Sequence, residues 1–348
     1  MSTVPKIVFF NPYADSDTKG AARRIDLLSE AIRRQGRVVD VILKEDFLAD
    51  PHSHCEAWAV NRGLLRLAYF LTASRIAREP DCVVVSEVIF IPTWRRNIIL
   101  TIHDLKVFDE RASRGGRLRT LAYKVFARLA RKIVVVSKVV KEDVVRHCSV
   151  QAAKVHVNYN GLSSERVALA ERCHSVDKHY DFVYVSSFAR HKRHALLVAA
   201  APTGAHLCLI GRDLGSLDEV RAQIVLRRGE ITVDILTDVG SDEELFALIG
   251  SARCGIFPSV FEGFGIPLLE YAAAGLYVMA SDIPIFREIA EYVDRFIPAD
   301  NLTALRDAMS YFMRDRPRGK TAATTLRHGE FSEDAVSRAF LSIVDAPV

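Results

Sequence analysis

At 348 residues, with 49% hydrophobic and 26% charged side chains, the chain is longer than one core usually supports and too apolar for disorder, so two α/β domains of about 150 residues each are expected. Charge is divided unevenly: residues 1–170 carry 28 Lys and Arg against 18 Asp and Glu, the remainder 19 against 25, making the halves +10 and −6 and suiting the first to an anionic partner. A spanning helix is excluded because Arg66 and Arg75 interrupt even the Leu64–Ala77 run, and six cysteines without a C-x-x-C pair argue against a zinc site or disulfide framework.

Met1–Phe10 holds one Lys and a short apolar run, suited to a first buried strand rather than a signal peptide, so cytoplasmic residence is expected. Apolar, β-branched runs at Lys6–Phe10, Val38–Leu43, Cys82–Ser86, Ile98–Ile102 and Ile133–Ser137 read as buried parallel strands. Between them Ala21–Gln35 and Leu64–Arg78 show helical spacing, Gly36 stopping the former. The basic stretch Gly115–Lys132 places Leu118, Leu121, Ala122, Val125 and Leu129 in one stripe and Arg117, Lys124, Arg128 and Arg131 in another. It reads either as a surface helix packed by its apolar stripe or as a helix resting on anionic membrane lipid. Its aromatic residues are not interleaved as stacking platforms, so nucleic acid is not expected as a partner.

A polar, strand-poor passage follows Asn160-Gly161, and the pattern then restarts at Phe182–Ser186, His206–Ile210, Thr232–Leu236, Gly255–Pro258 and Leu276–Ala280. The expected division is a first domain over 1–165, a linker over 166–180, a second domain over 181–330, and a tail over 331–348 whose helix at Glu333–Val344 crosses back to the first domain. Two successive βα series imply an α/β protein of two doubly wound, Rossmann-like sheets with ligands at the carboxyl ends of the strands, in the cleft between the domains.

The densest chemical signal runs from Phe257 to Glu270: a strand end, a loop with Gly263 and Gly265, then Pro267 in a first helical turn. Glycines allow close backbone approach, and free amides at a helix start favour phosphate or sugar oxygen. Glu262 and Glu270, eight positions apart, can both face a ligand and accept paired hydrogen bonds from vicinal hydroxyls. Taken singly, each has a plainer reading: a turn, and a first-turn acid favoured by the helix dipole. Arg190-His-Lys192-Arg193 follows a predicted strand, a position where cations meet phosphate rather than merely cover a turn.

The whole string resembles the E-x7-E signature of the retaining GT-B glycosyltransferases, family four in particular. The likeness extends over about residues 95–290, through His103-Asp104, Ser137-Lys138, Asn160-Gly161, Val185–Lys192 and Ala280–Glu288. It implies that Glu262 contacts the donor sugar near the reacting carbon, that Glu270 binds the ribose, and that amides around Gly263, Phe264 and Gly265, with Ser259 beside them, meet sugar or phosphate oxygens. Arg190 and Lys192 would neutralise the leaving diphosphate. His103 would lie over the donor sugar, although a strand-end His satisfied by Asp104 is the plainer reading. Many members carry a Gly-Gly pair in the first loop; Ser16–Gly20 supplies Gly20 alone.

Asp15-Ser16-Asp17 matches a metal-binding D-x-D tripeptide, and His52, His54 and Cys55 could ligate zinc, but the tripeptide is common by chance and no second cluster accompanies the latter. The expectation is a metal-independent, cofactor-free retaining hexosyltransferase. It would move sugar from a nucleoside diphosphate donor, GDP-mannose or a UDP-hexose, to a glycan or lipid-linked acceptor in envelope or exopolysaccharide synthesis. The alternatives are an epimerase or phosphorylase on the same scaffold and a non-catalytic nucleotide-sugar-binding subunit.

Overall fold

The computed structural model describes residues 5–11, 20–43, 81–86, 97–105, 116–173, 176–320 and 322–347. The predicted helix at Leu64–Arg78, the D-x-D tripeptide and the His52–Cys55 group lie outside these residues. The chain forms two compact units, Met1–Gly161 with Glu333–Val348, and Leu162–Ser332.

The first unit is a parallel sheet of β1 (Lys6–Asn11), β2 (Val39–Leu43), β3 (Cys82–Ser86), β4 (Ile98–Ile102), β5 (Lys132–Val135) and β6 (Val155–Val157), in the order β2-β1-β3-β4-β5-β6. Strands β3, β4 and β5 are buried end to end because helices cover both faces, which is why they read as unbroken apolar runs. On one face Ile7, Phe9, Val85 and Ile99 pack against Ile25, Leu28 and Ile32 of α1 (Gly20–Arg34). The terminal helix joins that face through Val336 and Phe340, with Phe9 and Phe340 stacked at 5.8 Å. On the other face Leu100, Ile133 and Val135 meet Ala127 of α2 (Gly116–Leu129) and Val140 and Val144 of α3 (Lys138–Cys148).

In α2 the packing face differs from the expected one. Ala127 and Ala130 are buried and Tyr123 and Phe126 pack beside them, whereas Leu121, Val125 and Leu129 are 56%, 40% and 48% exposed. This helix has two apolar stripes, and the small-residue one lets it approach the sheet more closely. The side chains of Arg117, Leu118 and Ala122 lie outside the described ones.

The second unit holds β7 (Tyr180–Val185), β8 (His206–Ile210), β9 (Thr232–Leu236), β10 (Ala252–Phe257), β11 (Tyr277–Ser281) and β12 (Arg295–Ile297), in the order β12-β11-β10-β7-β8-β9. Its helices are α4 (Ser164–Arg172), α5 (His194–Ala200), α6 (Leu217–Leu226), α7 (Asp242–Gly250), α8 (Ile266–Ala273), α9 (Pro284–Glu288), α10 (Leu302–Asp315) and α11 (Ala323–His328). The chain winds outward from β7 to β9, returns to the other side of β7 as β10, and continues to β12. The strand order therefore reverses between β7 and β10, the place where such sheets bind ligands.

One sequence expectation is corrected, and two strands are added to those the pattern predicts. Residues 166–180 are not a plain linker: α4 begins at Ser164 with Ser163 as its cap and buries Val167, Leu169 and Ala170 in the second unit. The chain enters that unit at Leu162 and leaves at Ser332 side by side, the Leu162 amide donating to the Phe331 carbonyl at 3.1 Å. Strands β6 and β12 escape a pattern reading because each is a three-residue sheet edge. The terminal helix, α12 (Glu333–Asp345), belongs to the first unit. Gln35 Nε2 donates to Ser337 Oγ at 2.7 Å, and buried Lys132 Nζ reaches the carbonyls of Ile343 and Ala346, each at 2.5 Å, placing a cation at a helix carboxyl end.

Candidate active site

The loops leaving the carboxyl ends of β7 and β10 meet, since these strands are parallel neighbours with Phe182 beside Cys254 and Val183 beside Gly255. The β7 loop turns through a 3₁₀ segment at Arg190–Lys192 into α5; the β10 loop runs from Pro258 to Gly265 into α8. The Val260 amide donates to the His191 carbonyl at 3.0 Å and locks the two together. Lys192 Nζ then reaches Glu262 Oε1 at 2.5 Å, with side chains only 12% and 9% exposed, and lies 5.5 Å from the Phe257 ring centre. A cation and a carboxylate so withdrawn from water interact more strongly than a surface pair, and this one sits where the β7 and β10 loops meet.

Backbone chemistry pins the helix that follows. Gly265 has φ +103°, and a Cβ there would meet Phe286 Cε1 at 2.7 Å, so only glycine fits the entry to α8. Tyr271, on α8, accepts the Val185 amide at 2.7 Å and lies where a Cβ on Gly255 would approach its ring to 2.3 Å. Tyr184 joins the two loops from below, its hydroxyl 2.9 Å from Ser259 Oγ and donating to the Lys192 carbonyl at 3.1 Å. Burial raises the Tyr184 phenol far above its ordinary range, so it serves as a neutral hydrogen-bonding brace. His194 lies between Tyr184, on which it stacks, and Phe188, against which it is tilted, each ring centre 4.4 Å away, and burial pushes its pKa down to about 3, with Lys192 acting in the same direction.

Glu270, on α8, has no solvent face: it is 0% exposed and accepts from Arg166 Nη2 at 2.7 Å. Arg166 comes from α4, also pairs with Asp242 at the start of α7, and lies 4.9 Å from the Phe246 ring centre.

The structure thus brings Lys192 and Glu262 together, with Gly263 next in the loop. It does not bring Arg190 to them: its side chain is 84% exposed and faces Glu219 at 3.7 Å. Ser259 is buried under Tyr184, and Phe264 is buried against Phe331 at 5.7 Å, so Ser259 braces the loop and Phe264 offers a ligand only its backbone. Gly20, exposed at the start of α1, and His103, following β4, lie in the first unit. Arg166 and Tyr184 were not legible as site residues, since each acts on a loop or helix far along the chain. Arg24 was missed likewise. It is buried in α1 and donates to the Tyr159 carbonyl at 2.8 Å, to Asn160 Oδ1 at 3.1 Å and to Asn158 Oδ1, and Asn158 in turn donates to the Val336 carbonyl at 2.9 Å. The Asn160-Gly161 turn is therefore held to both α1 and α12.

Two parallel doubly wound units with this loop arrangement define the GT-B fold of glycosyltransferases. A crystal structure of Anabaena Alr3699/HepE in complex with UDP and glucose superposes with a TM-score of 0.71 at 15% identity, over 99% of this chain and 100% of that one. Residues 18–166 match the family model "Glycosyltransferase Family 4" and residues 170–327 match "Glycosyl transferases group 1". The chain belongs to glycosyltransferase family 4. Among curated relatives it is 25% identical over 237 residues to the O-antigen chain mannosyltransferase RfbU of Salmonella typhimurium, covering 62% of this chain and 64% of that protein, just under two thirds of its length. It is 24% identical over 269 residues to the O-antigen chain mannosyltransferase B of Escherichia coli, covering 71% and 70%. Among the described residues no helix is long and apolar enough to cross a membrane.

Proposed function

We propose that the protein transfers a hexose, with retention of anomeric configuration and without a metal, from a nucleoside diphosphate sugar to a hydroxyl of a glycan or lipid-linked acceptor in envelope polysaccharide synthesis at the cytoplasmic face of the membrane. The observation that carries this reading is the Lys192–Glu262 pair at the β7/β10 reversal, and the mannosyltransferase relatives support the envelope assignment and a mannose donor. The second unit holds the donor: Glu262 and the amides around Gly263 and Gly265 take the sugar, Glu270 the ribose, and Lys192 the diphosphate, with exposed Arg190 free to swing in. The first unit, around His103, serves the acceptor. As the bond from the anomeric carbon to phosphate breaks, Lys192 stabilises the charge on the departing oxygen. The acceptor hydroxyl bonds to that carbon on the same face and its proton passes to the departing phosphate.

The test is a thermal-shift screen against nucleoside diphosphate sugars, followed by transfer assays with the best donor and determination of the product's anomeric configuration by NMR. Lys192→Ala and Glu262→Gln should each lower kcat by about 10²–10³-fold. Donor consumed without any acceptor would instead favour the epimerase or phosphorylase reading. The exposed Leu121, Val125 and Leu129 of α2, with Lys124 and Arg128 on the same helix, support anionic membrane lipid as the surface on which a lipid-linked acceptor is met.

A further inference from the structure

The amino-terminal ends of β7, β10 and β11, opposite the Lys192–Glu262 loops, border a cleft of about 540 Å³. The lengths of these strands set the two rims roughly 20 Å apart. The cleft lies between Lys178, just before β7; Arg253, at the start of β10; Gly275, before β11; and the segment Arg316–Gly319 that follows α10. Four cations therefore face one hollow in a unit that carries 19 Lys and Arg against 23 Asp and Glu. The clustering is not a by-product of a basic domain.

Two of these cations, Arg316 and Lys178, are anchored by hydrogen bonds at the cleft. Arg316 adopts φ +46° and its guanidinium donates to Asp181 at 2.5 Å. A Cβ on Gly319 would fall 1.9 Å from the Leu276 carbonyl oxygen, so the loop backbone is seated directly on the entry to β11. Lys178 Nζ reaches the Gly250 carbonyl at 2.5 Å. Asp181 answers Arg316, but Arg253 and Arg318 make no ion pair or hydrogen bond among the described residues. Burial lowers the Lys178 pKa; Arg253 pushes it the same way and Cys173 opposes, so Lys178 and Arg253 repel across the cleft. Guanidinium groups present paired donors that match phosphate oxygens, and the volume lies within the range of small-ligand pockets.

We propose that this cleft is a second anion site, taking a phosphate-bearing ligand between Arg253, Arg318 and Lys178. It is independent of the donor reading, lying at the other end of the sheet and using none of its residues. The phosphoryl group is the recognised chemistry, and its source is either a soluble phosphate compound or a lipid headgroup.

Pyrophosphate is titrated calorimetrically into the full-length Lys192→Gln variant, in which the donor-loop cation is removed, and into Lys192→Gln/Arg253→Gln/Arg318→Gln. Sedimentation with phosphatidate-containing and phosphatidylcholine-only vesicles runs in parallel on wild type and Arg253→Gln/Arg318→Gln. Because Arg253 and Arg318 are exposed, their variants should fold, as matched Tm values would verify. Saturable pyrophosphate binding that weakens at least tenfold when both arginines are replaced supports a soluble ligand. Phosphatidate-specific sedimentation lost with both arginines, without pyrophosphate binding, supports a lipid headgroup. Equal binding with and without the arginines, or no binding of either probe, would overturn the proposal.

Discussion

Replacing Arg166 by Met measures how far its guanidinium stabilises the buried carboxylate at Glu270. The substitution keeps much of the side-chain volume but removes the guanidinium from a Glu that is 0% exposed. Removing one partner of a buried ion pair costs about 3–5 kcal/mol. The Asp242 contact adds little, because that carboxylate is 41% exposed and half-exposed pairs contribute about 0–1 kcal/mol. The contact with the Phe246 ring adds about 0.5–2 kcal/mol. Arg166→Met should therefore lose roughly 4 kcal/mol in urea unfolding followed by circular dichroism at pH 7. Arg166→Met/Glu270→Gln should recover more than half of it, because the amide removes the buried charge. Hydrogen exchange at the α8 amides would localise the effect. An Arg166→Met variant within about 1 kcal/mol of wild type, or a double variant no more stable than the single one, would refute the reasoning.

His194, with its pKa pushed down to about 3 by burial, must stay neutral in the fold, so its contribution is intact above about pH 6.5 and is lost as pH falls towards 3; at pH 5 the loss is about 2 kcal/mol. His194→Leu should flatten the fall in stability between pH 7 and 5, and an unchanged slope would contradict the buried neutral imidazole. Lys124→Gln/Arg128→Gln should lower binding to anionic liposomes by up to about 2 kcal/mol and Leu121→Ser/Leu129→Ser should lower it further, with donor affinity unchanged; equal sedimentation of all forms would remove α2 from any membrane role. Transfer activity should survive EDTA, and its abolition with recovery on adding Mn²⁺ would return attention to Asp15 and Asp17.

The sequence by itself determined the course of the two sheets and the location of the loops after β7 and β10. Strands such as Cys82–Ser86 and His206–Ile210 are covered on both faces, so burial is written into consecutive residues and needs no knowledge of partners. The loop from Pro258 to Gly265 was legible for a similar reason: the positive φ at Gly265 and the proline in the first turn of α8 are local requirements that local residues satisfy. What the tertiary structure decided were the pairings between distant residues. Lys192 meets Glu262 across 70 positions and Arg166 meets Glu270 across 104, because adjacency of β7 with β10 and the docking of α4 bring them together. The same holds for α2, where both stripes are apolar and only contact with the sheet left Leu121, Val125 and Leu129 outside. Periodicity records that a helix has an apolar face, but which of two such faces is buried depends on the shape of the surface it packs against.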